Sequence, residues 1–303
     1  MPLDILVPFW GDPALLRDTV ASVRAQTTDE WRLTVVDDAY PDESVAAWFD
    51  TLDDPRITYV RNETNIGIVA NFRRCVALAT QERMVLLGCD DLLHPNYVAV
   101  VLAAHGATPD AAIIQPGVDV IDQAGRPAKS LADAVKARMA GPRPTRKVLS
   151  GEALAVSLLR GNWLYWPSLA FRLDVIRQYD FRDEFPIVLD LAIIMDMVFD
   201  GHSLVVDPTV CFSYRRHTAS LSSSALAEGS RFREDRQYFS QAAAQARRRG
   251  WLRANRAARY RLTTRAHALS LLPRSIFRGH WKAAGALITH VVQRDRASGP
   301  SGG

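Results

Sequence analysis

The strongest constraint on this chain is the regular alternation of short apolar runs and amphipathic segments over its first hundred residues. Each apolar run has the length of a strand, and each segment after it has helical spacing. The predicted strands are 5–7, 33–36, 57–60 and 83–87, and the predicted helices are 13–24, 42–50, 68–79 and one that opens at Pro95. Pro8 is expected to end the first strand, and Asp12 to cap the first helix. Such alternation predicts an α/β fold with a mostly parallel, doubly wound sheet.

Chemically distinctive residues follow three of these strands. The first is followed by Pro8 and Phe9, the second by Asp37 and Asp38, and the fourth by a loop with Asp90 and Asp91. In doubly wound sheets, ligands bind beyond the carboxyl ends of the strands. The sequence therefore predicts a ligand site that contains two pairs of carboxylates.

The Asp37–Asp38 pair has two readings. A carboxylate in this place can accept hydrogen bonds from a nucleoside base or a ribose hydroxyl. It can also form an Asx-turn or cap a helix. A single Asp would favour the turn, whereas a pair in step with the other strand ends favours nucleotide binding.

The Asp90–Asp91 pair favours a cation. Adjacent carboxylates repel each other unless a positive charge neutralises them. Mg²⁺ and Mn²⁺ prefer oxygen ligands and bridge to phosphates. A turn before the Pro95 helix is the alternative, and the pair favours a metal–diphosphate site over it.

Two loops contain candidate anion-binding groups. Gly67, close after Asn65, permits a close backbone approach at a helix N-terminus, although a plain loop and cap explains the pattern equally well. Arg215, Arg216 and His217 could hold a diphosphate, and an exposed basic loop is the alternative.

Asp190 is the candidate general base. It lies among apolar residues at the start of a predicted helix, where burial could raise its pKa. The alternative is a helix-terminal charge favoured by the macrodipole.

Five motifs, taken in order, resemble family-2 glycosyltransferases, which are inverting enzymes of the GT-A fold. The resemblance covers residues 3–224. The motifs are Val7–Asp12, Val35–Ala39, Asn65–Gly67 with Asn71, Gly88–Asp91 with Pro95, and Tyr214–His217 with Ser220 and Ser222. The family's GT-A fold implies a Rossmann-like, mostly parallel sheet with flanking helices, followed here by a helical C-terminal segment.

The resemblance also implies ligands and roles. It implies a nucleoside diphosphate sugar as donor, a divalent cation (Mg²⁺ or Mn²⁺), and a saccharide or lipid-linked acceptor in cell-surface polysaccharide or glycolipid synthesis. The implied roles are a base pocket lined by Pro8 and Phe9, base and ribose contacts from Asp37 and Asp38, a metal–diphosphate motif at Asp90 and Asp91, a catalytic base at Asp190, and a diphosphate-closing loop at Arg215, Arg216 and His217.

Two positions depart from the family pattern. Gly88 stands where an Asp-x-Asp motif would begin, and Leu189 stands where an acidic residue would precede the base. They leave open a catalytically degenerate GT-A protein that only binds nucleotides. A nucleotidyltransferase is disfavoured because residues 9–13 are neither glycine-rich nor basic.

The distribution of charge limits the partners that the chain can bind. The net charge is +4, but residues 226–303 are strongly basic and the rest is acidic. This segment is expected to be a helical cap packed on the catalytic domain, while its arginines leave contact with an anionic membrane open. Nucleic acid is disfavoured, because unneutralised carboxylates would repel phosphates.

The expected organisation is a catalytic domain at 1–224, a basic helical segment at 225–295 and a disordered tail at 296–303. Acceptor contacts are expected from 123–185, where the aromatic residues are Trp163, Tyr165 and Trp166. The absence of an apolar run of membrane-spanning length and of a signal peptide predicts a cytoplasmic protein. The three cysteines are expected to be reduced thiols.

Overall fold

The computed structural model describes residues 1–128, 131–141, 145–216, 230–277 and 281–292. Over these residues one mixed sheet has the strand order β3-β2-β1-β4-β8-β6-β9-β5, and β7 pairs with β9. The strands are β1 Leu3–Phe9, β2 Trp31–Asp37, β3 Ile57–Arg61, β4 Arg83–Leu86, β5 Leu92–Leu93, β6 Ile113–Ile121, β7 Lys147–Leu149, β8 Ala170–Arg172 and β9 Leu204–Arg215.

The helices follow the strands in the alternation that the sequence predicts. They are α1 Pro13–Arg24, α2 Ser44–Asp50, α3 Gly67–Leu78, α4 Tyr97–Ala107, α5 Leu131–Ala140, α6 Gly151–Arg160, α7 Leu173–Ile176, α8 Leu189–Phe199, α9 Ser230–Arg248, α10 Leu252–Tyr260, α11 Leu262–Phe277 and α12 Trp281–Val292. Asp12 caps α1, since its Oδ1 accepts the Ala14 N–H at 2.8 Å. The α/β class with a helical C-terminal segment is therefore confirmed.

The parallel half of the sheet contains the first four strands. β1 pairs in parallel with both β2 and β4, and β2 with β3. β8 joins the two halves by running antiparallel to β4 and β6. Residues 3–7 of β1 are buried on both faces, as expected for a strand covered by helices on both sides. On β2 one face is buried along its whole length, whereas the other begins with the exposed Arg32.

Pro8 does not end β1, which continues to Phe9. The Leu6 carbonyl accepts the Leu87 N–H on the β4 side, and Pro8, two residues later, faces the same side. The pairing of β1 with β4 stops at Leu6. A missing N–H at Pro8 therefore costs no ladder hydrogen bond.

The described residues belong to two compact units. The first comprises 1–150, 163–183 and 200–217, and contains the sheet. The second comprises 151–162, 184–199 and the described residues from 230 onward, and contains α6, α8 and α9–α12. The domain division predicted at residue 225 stays a prediction, and the predicted tail at 296–303 lies outside the described residues.

A small apolar cluster holds the last helices of the second unit together. Phe232 of α9, Ala268 of α11 and Leu287 of α12 are buried against one another. His290 is also buried there; its Nδ1 donates to the Phe232 carbonyl at 3.1 Å. None of the helices in the described ranges is long and apolar enough to cross a bilayer.

The buried His290 should make stability depend on pH. Burial, and then the charge of Arg261, lower the pKa of His290 from 6.5 to about 4. Between these values the unfolded chain binds a proton that the folded chain rejects, so stability falls as pH falls through this window. When the pH is lowered from 7 to 4, the melting temperature should fall less in His290→Gln than in the unsubstituted protein. His202→Gln, at a half-buried histidine of the first unit, should keep the full decrease.

Candidate functional site

The ends of β1 and β2 stay together beyond the strands. Phe9 is in register with Asp37, and the Asp38 N–H donates to the Phe9 carbonyl at 3.0 Å. The same edge receives the end of β4, since β1 and β4 are parallel. The fold thus places the residues after the first, second and fourth strands on one side of the sheet.

Asp37 organises one wall of this edge. Its side chain is fully buried; Oδ1 accepts the Tyr40 N–H at 2.7 Å, and Oδ2 accepts from Arg61 at 2.9 Å and from the Tyr59 hydroxyl. Burial, and then the bond to Asp37, raise the pKa of Tyr59 to about 12. The carboxylate is compensated by a cation and fixes the start of the following loop.

Tyr40 belongs to an aromatic cluster at the same place. Its ring lies 5.1 Å from that of Phe9 and 5.4 Å from that of Trp10. Phe9 is buried, whereas Trp10 is 51% exposed. A partly exposed aromatic ring at a strand end can stack on a planar ligand such as a base.

Asp38 caps the N-terminus of α3. Its Oδ1 accepts from Asn62 Nδ2 at 2.7 Å and from the Ile66 N–H at 2.8 Å, and its Oδ2 accepts the Gly67 N–H at 2.9 Å. Gly67 has φ of +80°, which a residue with a side chain rarely adopts. The exposed Asn65 also accepts the Gly67 N–H, at 3.1 Å.

The structure thus brings the predicted nucleotide residues together, and it gives the two carboxylates internal partners. Pro8 is half-buried, Phe9, Asp37 and Asp38 are buried, and Asn65 is exposed. Asp37 and Asp38 fix the loops that form the edge. Their contact with a nucleotide stays a prediction.

Asp90 and Asp91 are in different environments. Asp91 is 1% exposed, and its Oδ1 accepts the backbone N–H of Arg215 at 2.8 Å. Burial, and then the neighbouring charge of Asp90, hold the pKa of Asp91 well above its usual range. Asp90 is half-buried. Asp90 is therefore the more accessible of the two predicted metal ligands.

Arg215 and Arg216 both have partners in this structure. Arg215 is buried and donates from Nε to the Asp90 carbonyl at 2.6 Å, and from Nη1 to the Gln123 carbonyl at 3.0 Å. Arg216 donates from Nε to Asp133 of α5 at 2.9 Å. Both guanidinium groups thus bind to the protein itself. His217, Ser220 and Ser222 lie outside the described residues.

The glycine at position 88 has a packing reason. A Cβ there would lie 3.0 Å from Asp90 Oδ1, and closer still to Asp91 Oδ2. Any side chain at this position would displace the carboxylates that follow. The departure from an Asp-x-Asp pattern therefore matches the way Asp91 folds back toward Gly88.

The donor set for a cation consists of carboxylate oxygens at Asp90 and Asp91, which is the chemistry that Mg²⁺ and Mn²⁺ prefer. Within the described residues there is no group of three or more His, Cys, Asp or Glu side chains placed to hold a metal. A metal bound here would need further ligands, and a donor diphosphate could supply them.

Asp190 lies in the second unit, in the first turn of α8. Its Oδ2 accepts from Asn162 Nδ2 at 2.8 Å. A fixed amide donor orients the carboxylate, which is what a general base needs from its neighbours. The base assignment itself stays a prediction.

A cavity of about 510 Å³ lies in the first unit between β6, β9 and α5. Two of the three aromatic residues expected to mark the acceptor region, Trp163 and Tyr165, line it, together with Asp133 and Lys136. The Tyr165 hydroxyl donates to Asp133 at 2.9 Å. Trp166 instead packs against Phe171, with ring centroids 5.1 Å apart.

Sequence reasoning missed the residues that support this site. Tyr40, Asn62, Asp133 and Asn162 each fix a predicted site residue or its loop. Tyr40 directly follows the Val35–Ala39 motif and Asn62 directly follows β3, so their positions gave a weak signal. Asp133 and Asn162 meet their partners across 83 and 28 residues, a pairing that no local pattern reveals.

Gly88→Ala should test the close packing around Asp91. The added methyl group would push on a carboxylate fixed by Arg215, and such overpacking costs about 1–3 kcal/mol. Chemical denaturation should therefore show lower stability than in the unsubstituted protein. Gly106→Ala, where nothing lies within 4 Å of the added Cβ, is the matched control and should be neutral or slightly stabilising. Equal stability of both variants would contradict the packing explanation.

Comparison with known proteins extends these observations. Residues 4–161 match the family described as glycosyl transferase family 2. A protein of Sinorhizobium fredii, y4gI, is 33% identical over 126 residues, which are 41% of this chain and 14% of that protein. WcaA of Escherichia coli K12, whose name places it among colanic acid biosynthesis glycosyl transferases, is 32% identical over 102 residues, which are 33% of this chain and 37% of WcaA. The alignments thus span well under half of each relative.

Solved structures show the same fold over nearly the whole chain. Residues 1–349 of Staphylococcus aureus TarS in complex with UDP-GlcNAc superpose with a TM-score of 0.68 at 14% identity, covering 96% of this chain and 82% of that one. The mannosyltransferase PcManGT of Pyrobaculum calidifontis, in complex with GDP-Man and Mn²⁺, superposes with a TM-score of 0.57 at 17% identity, covering 96% and 86%.

Proposed function

Because this chain belongs to glycosyl transferase family 2, we propose that it transfers a sugar from a nucleoside diphosphate to a hydroxyl acceptor with inversion. The acceptor is a saccharide or a lipid-linked molecule in cell-surface polysaccharide or glycolipid synthesis. The observation that carries this proposal is the shared edge at which Phe9, Asp37–Asp38 and Asp90–Asp91 lie at or just beyond the ends of three neighbouring strands.

The nucleoside lies at the aromatic end of this edge. Tyr40 and Trp10 provide an aromatic surface for the base, next to Phe9. Asp37 and Asp38 keep the surrounding loops in place, and Asn65 and Gly67 are at the start of α3, whose N-terminus favours negative charge. WcaA, TarS with UDP-GlcNAc and PcManGT with GDP-Man support a nucleotide-sugar donor.

The diphosphate lies at the other end, near Asp90 and Arg216. A divalent cation held by Asp90 and Asp91 would neutralise charge on the leaving diphosphate, and the Mn²⁺ in PcManGT supports this assignment. Arg216 adds a cation once it exchanges Asp133 for the diphosphate. His217, which lies outside the described residues, is proposed to contact the diphosphate as well.

Asp190 accepts the acceptor proton. The hydroxyl attacks the anomeric carbon as the bond to the diphosphate breaks on the opposite face, and the proton passes to the carboxylate. Asn162 is the positioning residue, because its amide fixes Asp190 Oδ2. Charge stabilisation of the leaving group is expected to be the larger contribution to the rate.

Asp190→Asn should lower turnover by about 10²–10⁴-fold, with nearly unchanged affinity for the donor, because only proton transfer is removed. Asp196→Asn, in the same helix, is the matched control and should retain most of the activity. The measurement is release of nucleoside diphosphate in the presence of acceptor. Unchanged turnover in Asp190→Asn would show that another group is the base.

Thermal-shift titration with UDP, GDP, dTDP and CDP, each with and without Mn²⁺ or Mg²⁺, tests the donor site. A nucleotide at about 100 times its Kd should stabilise the protein by about 2.7 kcal/mol. One nucleotide is expected to act, and to need the metal. Asp90→Asn should abolish most of the metal-dependent shift. Asp53→Asn, at an exposed loop carboxylate, should leave this shift and its dependence on the metal intact.

Two results would count against an active enzyme. A metal-independent shift without turnover would favour the degenerate nucleotide-binding protein, a reading that the internal pairing of Asp37, Asp38 and Arg216 also fits. No shift with any nucleotide would contradict the donor site itself.

A further inference from the structure

The last two helices of the second unit have apolar residues on two faces. On one face, Ala268 of α11 and Leu287 of α12 pack with Phe232 in the small core described above. The other face is exposed. A surface helix normally has a polar outer face, so this second apolar surface needs a reason.

On α11 the exposed apolar residues form one stripe. Their spacing of four, three, four and three residues places them on the same side of the helix. They are Leu262, Ala266, Leu269, Pro273 and Ile276. Phe277, at the end of the helix, is 91% exposed. Leaving this many large apolar groups in water is unusual for a surface that contacts nothing.

On α12 the same pattern recurs. Trp281, Gly285, Ile288 and Val292 are exposed at spacings of four, three and four residues. Trp281 is 70% exposed. Tryptophan is enriched at the boundary between lipid headgroups and hydrocarbon, because its ring is amphipathic.

The positive charge of this region indicates an anionic partner. The chain has no Asp or Glu between Arg236 and Arg294. The last turn of α9, the loop after it and α10 expose a series of cations, which are Arg247, Arg248, Arg249, Arg253, Arg256 and Arg259. On α10, Arg256 lies four residues from both Leu252 and Tyr260, which are also exposed. Cationic and apolar groups therefore share one surface.

We propose that the exposed faces of α10, α11 and α12 bind the surface of a bilayer that contains anionic lipids. Such a bilayer offers phosphate groups to the arginines and hydrocarbon to the apolar stripes within a short depth. A second copy of this chain would bring an equal positive charge to the contact. Nucleic acid would offer phosphates but no apolar surface. This proposal does not depend on the proposed enzymatic activity.

Vesicle flotation of the full chain tests the proposal. The protein should float with vesicles of phosphatidylcholine and phosphatidylglycerol in equal parts, and not with phosphatidylcholine alone. Binding should weaken as NaCl is raised, because salt screens the arginines. No flotation with the mixed vesicles would overturn the proposal, and so would equal flotation with both kinds.

Substitutions separate the two contributions. Leu269→Gln with Ile276→Gln should weaken binding about tenfold or more, and Val148→Gln, at an exposed apolar residue of the first unit, should leave it unchanged. Arg253→Gln with Arg256→Gln and Arg259→Gln should weaken it roughly 100-fold, at about fivefold for each cation. Circular dichroism and thermal unfolding confirm that each variant is folded.

A second measurement places α12 at the membrane. Vesicles that contain brominated phosphatidylglycerol should quench Trp281, and Trp281→Phe should reduce the quenching while flotation persists. Equal quenching in both proteins would contradict insertion of α12. A concentration-dependent dimer seen by light scattering, lost in the Leu269/Ile276 variant and accompanied by no flotation, would assign the face to a second copy and overturn the proposal.

Discussion

The buried contact between Asp91 and Arg215 connects the two halves of the sheet at the proposed site. Asp91 follows β4, in the parallel half, and Arg215 ends β9, in the other half. A carboxylate taken out of water is costly unless hydrogen bonds compensate it. The Arg215 N–H bonds to Asp91 Oδ1, and the Arg215 side chain returns to the Asp90 carbonyl, so each residue fixes the other. The glycine at 88 provides the space that this arrangement requires.

The same principle applies at the other strand ends. Asp37 and Asp38 are buried, and each accepts several hydrogen bonds from the loops around it. These carboxylates hold the backbone of the site in one conformation before any ligand arrives. A site whose loops are fixed in advance loses less conformational entropy on binding. The acidic residues that identify this family by pattern therefore have a structural role here beside the proposed chemical one.

Much of the fold could be predicted because its signals are local. The period of the apolar residues located β1–β4 and α1–α4 to within one or two residues. The order and pairing of the strands in the second half of the sheet could not be predicted in this way. β5, β7 and β8 have only two or three residues each, too few for a period, and their partners lie far along the chain. The second unit likewise combines segments distant in sequence, which no local pattern indicates.

The candidate site shows the same division. The position of Asp37, Asp38, Asp90 and Asp91 after strands was visible in the sequence, since each pair follows an apolar run. The direction of each side chain was not, because it depends on contacts with Asn62, Gly67 and Arg215 made by the folded chain. Residue type and spacing thus located the site, and long-range packing decided which groups face inward.

The pairing of Arg216 with Asp133 couples two parts of the first unit. Asp133 belongs to α5, which borders the 510 Å³ cavity, and Tyr165 in the cavity wall binds the same carboxylate. An anion that takes Arg216 must therefore separate this arginine from Asp133 of α5. By thermodynamic reciprocity, any molecule in the cavity that holds Asp133 in place must oppose that anion to the same degree. Occupancy of the cavity and occupancy of the proposed diphosphate position would then be coupled through Arg216.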